Sequence, residues 1–101
     1  MRRQPIALAL AMAVLLAAAG CNLERKNYEA VSVGQSAEDV KKILGAPRYR
    51  FEGQWIYTRD KPSDLTKVEI HFNDEGEVVG KTWQNPEKPW ENHRQGQVPG
   101  T

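Results

Sequence analysis

The only cysteine of this 101-residue chain, Cys21, follows directly on an apolar run, and this placement limits what the rest of the chain can fold into. Arg2 and Arg3 supply a positive start, and residues 6–19 carry no charge. That order is typical of a secretory signal peptide over residues 1–20. The apolar run is shorter than the ~20 residues that cross a bilayer as a helix, so a permanent span is not expected. Removing 20 of the 101 residues leaves 81, which must fold without an internal disulfide.

The residues before the cysteine, from Leu16 to Gly20, resemble the bacterial lipobox. In that motif the cysteine becomes the first residue of the mature protein and carries acyl chains, palmitate among them. The resemblance departs from the usual pattern at Ala18, where leucine is more common. Two or more acyl chains hold a protein firmly, since each buried methylene contributes ~0.8 kcal/mol. Asn22 implies, by the same resemblance, release to the outer membrane. The alternative is an ordinary exported protein with Cys21 beside its cleavage site by chance.

The part of the chain after the signal is close to neutral. It has 12 basic side chains, the total of 14 less Arg2 and Arg3, against 13 acidic ones. No basic cluster is present to bind nucleic acid, so a nucleic-acid partner is not expected. The sequence also has no polybasic segment that could bind anionic lipid, so membrane attachment must come from Cys21. A domain this small is only marginally stabilised by its hydrophobic core.

The sequence predicts a short helix over residues 37–44. Ser36 is a good N-cap, and Asp39 in the first turn complements the helix dipole. Gly45 and Pro47 follow and end the helix. The apolar residues recur at helical spacing and form one face: Val40, Ile43 and Leu44.

Three antiparallel strands are expected after this helix. Residues 50–59 form the first, with Phe51, Trp55 and Tyr57 on one face. Residues 65–72 alternate between apolar and polar side chains, and residues 77–83 return after a turn. The predicted fold class is α+β, with one or two short helices packed on a three-stranded antiparallel meander.

The flanking segments are predicted from their composition. Residues 21–33 are polar and are expected to be a lipidated tether, in which one helical turn near Tyr28 is left open. Residues 34–83 form the domain. Residues 84–101 contain three prolines and few apolar side chains, so a disordered tail is expected.

The aromatic residues divide into two groups. Phe51 and Trp55 are expected in the core, because the chain has few other large side chains to bury. Two locations are possible for the other group: the core, or a partner-binding surface, where aromatic side chains are favoured. This group consists of Tyr49, Trp83 and Trp90.

No catalytic, metal-binding or cofactor-binding residues are predicted. His71 and His93 are the only histidines, and neither has a second metal ligand at a suitable spacing. No histidine is placed to act as a base for a serine, and no glycine-rich phosphate loop opens a helix. The chain is therefore expected not to be an enzyme.

Several short segments, in this order, resemble the SmpA/OmlA (BamE-like) family of outer-membrane lipoproteins. They cover about residues 34–80: Gly34-Gln35-Ser36, Leu44-Gly45-Ala46-Pro47, Trp55-Ile56-Tyr57 and the hairpin at 72–78. The resemblance departs at Gln35, where the family often has methionine, and in the short segment before the helix, where a first helix, if present, is confined to about residues 24–32. It implies two helices followed by three strands, also called a BLIP-like fold.

The resemblance also implies a function. Family members act as non-enzymatic scaffolds at the periplasmic face of the outer membrane, with envelope proteins and β-barrel assembly components as partners. Two other functions stay open. One is a small periplasmic inhibitor or ligand-sensing module with the same fold, as in β-lactamase inhibitory proteins. The other is a stress-induced surface protein with only a structural role.

Overall fold

A computed structural model describes residues 23–59 and 61–99. The predicted signal peptide, Cys21 and Asn22 lie outside the described residues. The described residues form helices α1 (Arg25–Ala30) and α2 (Ala37–Leu44), strands β1 (Tyr49–Phe51), β2 (Gln54–Thr58), β3 (Lys67–Phe72), β4 (Val78–Gln84) and β5 (His93–Gly96), and a 3-10 turn at Pro89–Glu91. The strands make one antiparallel sheet in sequence order. The α+β class is confirmed, whereas the expectation of three strands is wrong because the sheet has five.

Helix α2 begins and ends where the sequence predicts. The Ser36 hydroxyl oxygen accepts a hydrogen bond from the backbone N–H of Asp39 at 3.1 Å, as expected of an N-cap. Gly45 ends the helix with a φ of 82°. The hydroxyl of Tyr57, on β2, donates to the Gly45 carbonyl at 2.9 Å and ties this end of the helix to the sheet.

The predicted first strand is in fact a hairpin of two strands. Its turn is at residues 52–53, where Gly53 takes a φ of 75°. Phe51 is paired with Gln54, so its side chain lies on the opposite face of the sheet from Trp55. Phe51 is consequently 55% exposed and the expectation of a core position is wrong, whereas Trp55 is buried as expected.

The predicted disordered tail contains the fifth strand. Strand β5 pairs with β4 over residues 80–83 of the latter. Gly96 then turns the chain, with a φ of 74°, and the N–H of Gln97 donates to the Val79 carbonyl at 2.7 Å. The chain passes so close to β4 that a Cβ atom on Gly80 would overlap the Gln97 carbonyl. Val98 is buried. The prediction of disorder is therefore wrong for residues 84–98, the first of which closes β4.

The predicted tether also belongs to the domain. Leu23, Tyr28 and Val31 are all buried in the core, and six residues of this segment form α1. A six-residue helix has little stability alone, so tertiary contacts must hold it. The ammonium of Lys81, on β4, supplies them by donating to the Tyr28 carbonyl at 2.8 Å and the Val31 carbonyl at 2.6 Å. The described residues from Leu23 onward thus belong to the domain, which was expected to begin at residue 34.

Both helices pack on one face of the sheet, which we call the inner face. The core lies between the helices and this face. Its buried side chains are Leu23, Tyr28, Val31, Val40, Leu44, Trp55, Tyr57, Val68, Ile70, Val78 and Trp83. The strands run between two ends of the molecule. The Leu23 end carries Leu23 and the connections 59–66 and 85–92, and the hairpin end carries the turns at 52–53 and 73–77.

Candidate functional site

Strand β1 is an edge strand that carries two exposed aromatic side chains. Tyr49 is 50% exposed and Phe51 55%, and both lie on the outer face of the sheet. Ile56, directly opposite Tyr49 on β2, is half-buried on the same face. We call Tyr49, Phe51 and Ile56 the β1 patch. An edge with aromatic side chains suits binding by strand addition, in which backbone hydrogen bonds and side-chain contacts act together.

Two arginines flank the β1 patch. The Arg48 guanidinium lies 5.8 Å from the centre of the Tyr49 ring, and the Arg50 guanidinium lies 4.8 Å from the Trp55 ring on the inner face. Both are cation–π contacts that hold the arginines against the sheet edge. A partner segment at this edge would therefore meet positive charge beside the aromatic rings.

A polar cluster next to the β1 patch centres on Glu69. Its Oε1 lies 3.2 Å from the Gln54 amide nitrogen and 3.1 Å from His71 Nε2, and its Oε2 lies 3.1 Å from the Lys67 ammonium. Burial alone would raise the pKa of Glu69, but the hydrogen bonds from Lys67 and His71 outweigh it and lower the pKa. A carboxylate kept ionised by its neighbours is suited to holding the sheet together and is poorly placed to donate a proton.

The three aromatic residues left open by the sequence differ in position. Tyr49 belongs to the β1 patch, and Trp90, in the 3-10 turn, is 76% exposed at the Leu23 end. Trp83 is only 3% exposed and is not available as a surface contact. The guanidinium groups of Arg25 and Arg59 lie 5.1 Å and 5.5 Å from the centre of its ring. The predicted lipidation residue, Cys21, precedes the described residues by two positions.

Two further titratable groups, Tyr28 and Asp64, have shifted pKa values that are explained by contacts within the domain. Burial raises the pKa of Tyr28 to about 12, and its hydroxyl lies 2.7 Å from Nδ1 of His93 on β5. Hydrogen bonds from Thr66 and Arg59 lower the pKa of Asp64 to about 2. Within residues 23–59 and 61–99, no three histidine, cysteine, aspartate or glutamate side chains are grouped to bind a metal ion. In that same part of the chain, neither helix has the length and apolar content to span a bilayer.

Sequence reasoning missed Phe51 and Ile56 as surface residues. The signal was present in the Glu52-Gly53 pair, which suits a two-residue turn between strands. Continuous alternation through residue 53 instead placed Phe51 on the same face as Trp55. A turn at this point reverses that assignment, because it changes which residues lie opposite each other.

Neither protein-family models nor curated proteins gave a match to this chain. The likeness to the SmpA/OmlA family therefore stays a prediction from the residues quoted above.

Proposed function

We propose that this protein is a non-enzymatic lipoprotein of the bacterial outer membrane that acts as a protein-binding scaffold. Acyl chains on Cys21 hold it at the periplasmic face, and the folded domain binds envelope proteins. The order of charged start, apolar run and cysteine supports the anchor. The resemblance to SmpA/OmlA proteins supports a role in β-barrel assembly or in envelope integrity.

The observation that carries the binding role is the β1 patch. Tyr49 and Phe51 stand exposed, one residue apart, on a sheet edge. Large aromatic side chains dominate the binding energy of many interfaces. Exposed edge strands are usually blunted against association, and in β1 the short length of the strand and the charged side chains beside its aromatic residues act in this way.

The partner that fits this surface is an extended segment of an envelope protein. It would pair its backbone with β1 and place apolar side chains against the β1 patch. Arg48 and Arg50 favour a segment with acidic residues nearby, because opposite charges guide association and orientation. Glu69 is already occupied by Gln54, Lys67 and His71 and adds no free negative charge that would oppose such a segment.

The test is site-specific photocrosslinking in growing cells. A photoreactive amino acid at Phe51 should crosslink to envelope proteins, whereas the same group at Lys42, exposed on α2, should not. Replacing Cys21 by alanine should abolish the crosslink by releasing the domain from the membrane. Mass spectrometry of the mature N-terminus should find a diacylglyceryl group on Cys21.

A functional readout must accompany the crosslink. If the protein aids barrel assembly, Phe51→Ser should lower the amounts of several porins as deletion of the whole protein does, and Lys42→Ser should not. Normal porin amounts in the deletion strain would contradict a role in barrel assembly. Tight one-to-one inhibition of a purified periplasmic hydrolase would instead support the inhibitor hypothesis.

A further inference from the structure

The chain enters the domain at a fixed point close to the predicted lipid anchor. Leu23 is buried, and its carbonyl accepts hydrogen bonds from Nε of Arg59 at 3.0 Å and Nη2 at 2.5 Å. The same guanidinium contacts the Asp64 carboxylate at 2.8 Å. Two residues of extended chain span at most ~7 Å, so Cys21 lies no further than that from Leu23. The headgroup layer of a bilayer is itself roughly 6 Å deep on each side.

The Leu23 end exposes two large apolar side chains. Trp90 is 76% exposed and Leu65 is 47% exposed. The connections that carry them are fixed to each other, since the side-chain amide of Asn85 donates to the Thr66 hydroxyl at 3.2 Å. Both connections border one depression of about 400 Å³, lined in part by Leu65 and Asn85. These apolar groups therefore lie at the same end of the molecule as the anchor.

Charge separates the two ends of the domain. Among the described residues, the exposed charges at the Leu23 end are mixed, with Lys26, Lys61 and Lys88 against Glu24 and Glu87. The hairpin end is acidic, because the first turn of α2 lies beside the 73–77 turn through a bond from Ala37 N–H to the Gly76 carbonyl. Its exposed acidic residues are Glu38, Asp39, Glu52, Asp74, Glu75 and Glu77. A bilayer containing anionic lipid repels this hairpin end at short range.

From these three observations we propose that the Leu23 end rests on the bilayer, with Trp90 and Leu65 in the headgroup layer. This proposal depends on the acyl anchor of the proposed function. Tryptophan is favoured at this depth because its ring is apolar and its N–H remains near water. Lys61 and Lys88 can keep their ammonium groups at the surface while their methylenes lie along it. The strands then stand upright, and the β1 edge stays open to partners from the side.

The experiment uses the full-length mature lipoprotein in vesicles of phosphatidylethanolamine with a minor fraction of phosphatidylglycerol. Acylation consumes the thiol of the only cysteine, so a cysteine introduced elsewhere can be labelled uniquely. A polarity-sensitive fluorophore is attached in the variants Leu65→Cys and Trp90→Cys. The matched control is Glu75→Cys, exposed at the hairpin end.

The labels at positions 65 and 90 should show blue-shifted emission, quenching by spin-labelled lipid and several-fold weaker quenching by aqueous iodide than the label at 75. Equal iodide quenching at all three positions, in protein that floats with the vesicles, would overturn this orientation but leave the anchor intact. Failure of the unlabelled protein to float would overturn the anchor and the orientation together.

Discussion

Replacing Lys81 with methionine is expected to lower the free energy of unfolding by about 2 kcal/mol, because it removes two hydrogen bonds and one cation–π contact. The Lys81 side chain is buried beneath α1. Its ammonium donates to the Tyr28 and Val31 carbonyls and lies 4.3 Å from the centre of the Tyr28 ring. Methionine matches the length of the side chain but donates no hydrogen bond.

The magnitude follows from which groups lose a partner. The Tyr28 carbonyl keeps the backbone N–H of Val31 as a second donor at 3.1 Å, so the Val31 carbonyl bears most of the loss. A buried acceptor left unpaired costs ~1–3 kcal/mol. Loss of the cation–π contact adds ~0.5–2 kcal/mol. Burial lowers the pKa of Lys81 because it disfavours the charged ammonium. Methionine carries no charge and avoids this cost, which offsets part of the loss.

Urea unfolding followed by circular dichroism measures the effect. A domain of this size has a total stability of only roughly 4–12 kcal/mol, so a 2 kcal/mol loss is easily resolved. The control is Lys61→Met on an exposed connection, expected within ~0.5 kcal/mol of the parent protein. Equal midpoints for the Lys81 and Lys61 variants would refute the claim that the ammonium holds α1 in place.

Three further changes test other contacts. Tyr57→Phe removes the 2.9 Å hydrogen bond to the Gly45 carbonyl and should cost ~0.5–1.5 kcal/mol in denaturant unfolding. Gly80→Ala places a methyl group against the backbone of Gln97 and should cost ~1–3 kcal/mol, with faster amide exchange at Gln97. Asp64→Asn should flatten the acid limb of stability. The low pKa of Asp64 makes its contribution complete above pH 3.8 and lost as the pH falls to about 2.

Each of these changes has a matched control. Tyr49→Phe removes the hydroxyl of a half-exposed residue and should leave stability within ~0.5 kcal/mol of the parent. Deleting residues 97–101 should remove the penalty of Gly80→Ala, and an unchanged penalty would contradict the steric explanation. Ser63→Ala, at an exposed position beside Asp64, removes no carboxylate and should leave the decline of stability at acid pH as steep as in the parent protein.

Local rules predicted the parts of the fold that depend on neighbouring residues. Helix α2 followed from Ser36 and Gly45 at its two ends, because capping acts within one turn. The alternation in β3 followed likewise, since each apolar side chain there faces the core. A bulge between His71 and Phe72 shifts the register at the end of that strand.

The elements that the sequence left open or missed, helix α1 and strand β5, depend on residues far apart in sequence. Helix α1 is too short to be stable by itself, and β5 is a polar strand with all four residues exposed. Both form because of contacts with β4. Lys81 of β4 donates hydrogen bonds to the end of α1, and the edge of β4 pairs with β5. The β1 patch was missed for a different reason. The sequence predicts one continuous strand, but the tight turn at residues 52–53 places Phe51 on the face of the sheet opposite to Trp55.

Helix α1 depends on residues from the last quarter of the chain, in addition to the bond from the Gln35 side-chain amide to the Ala30 carbonyl. Its partners there are the Lys81 ammonium, the Glu91 carbonyl and the His93 ring, the last two more than 60 positions away in sequence. A polypeptide threaded through a translocon with its amino terminus first would deliver these partners last. The segment nearest Cys21, the predicted lipidation residue, would thus lack these contacts until nearly the whole chain had emerged.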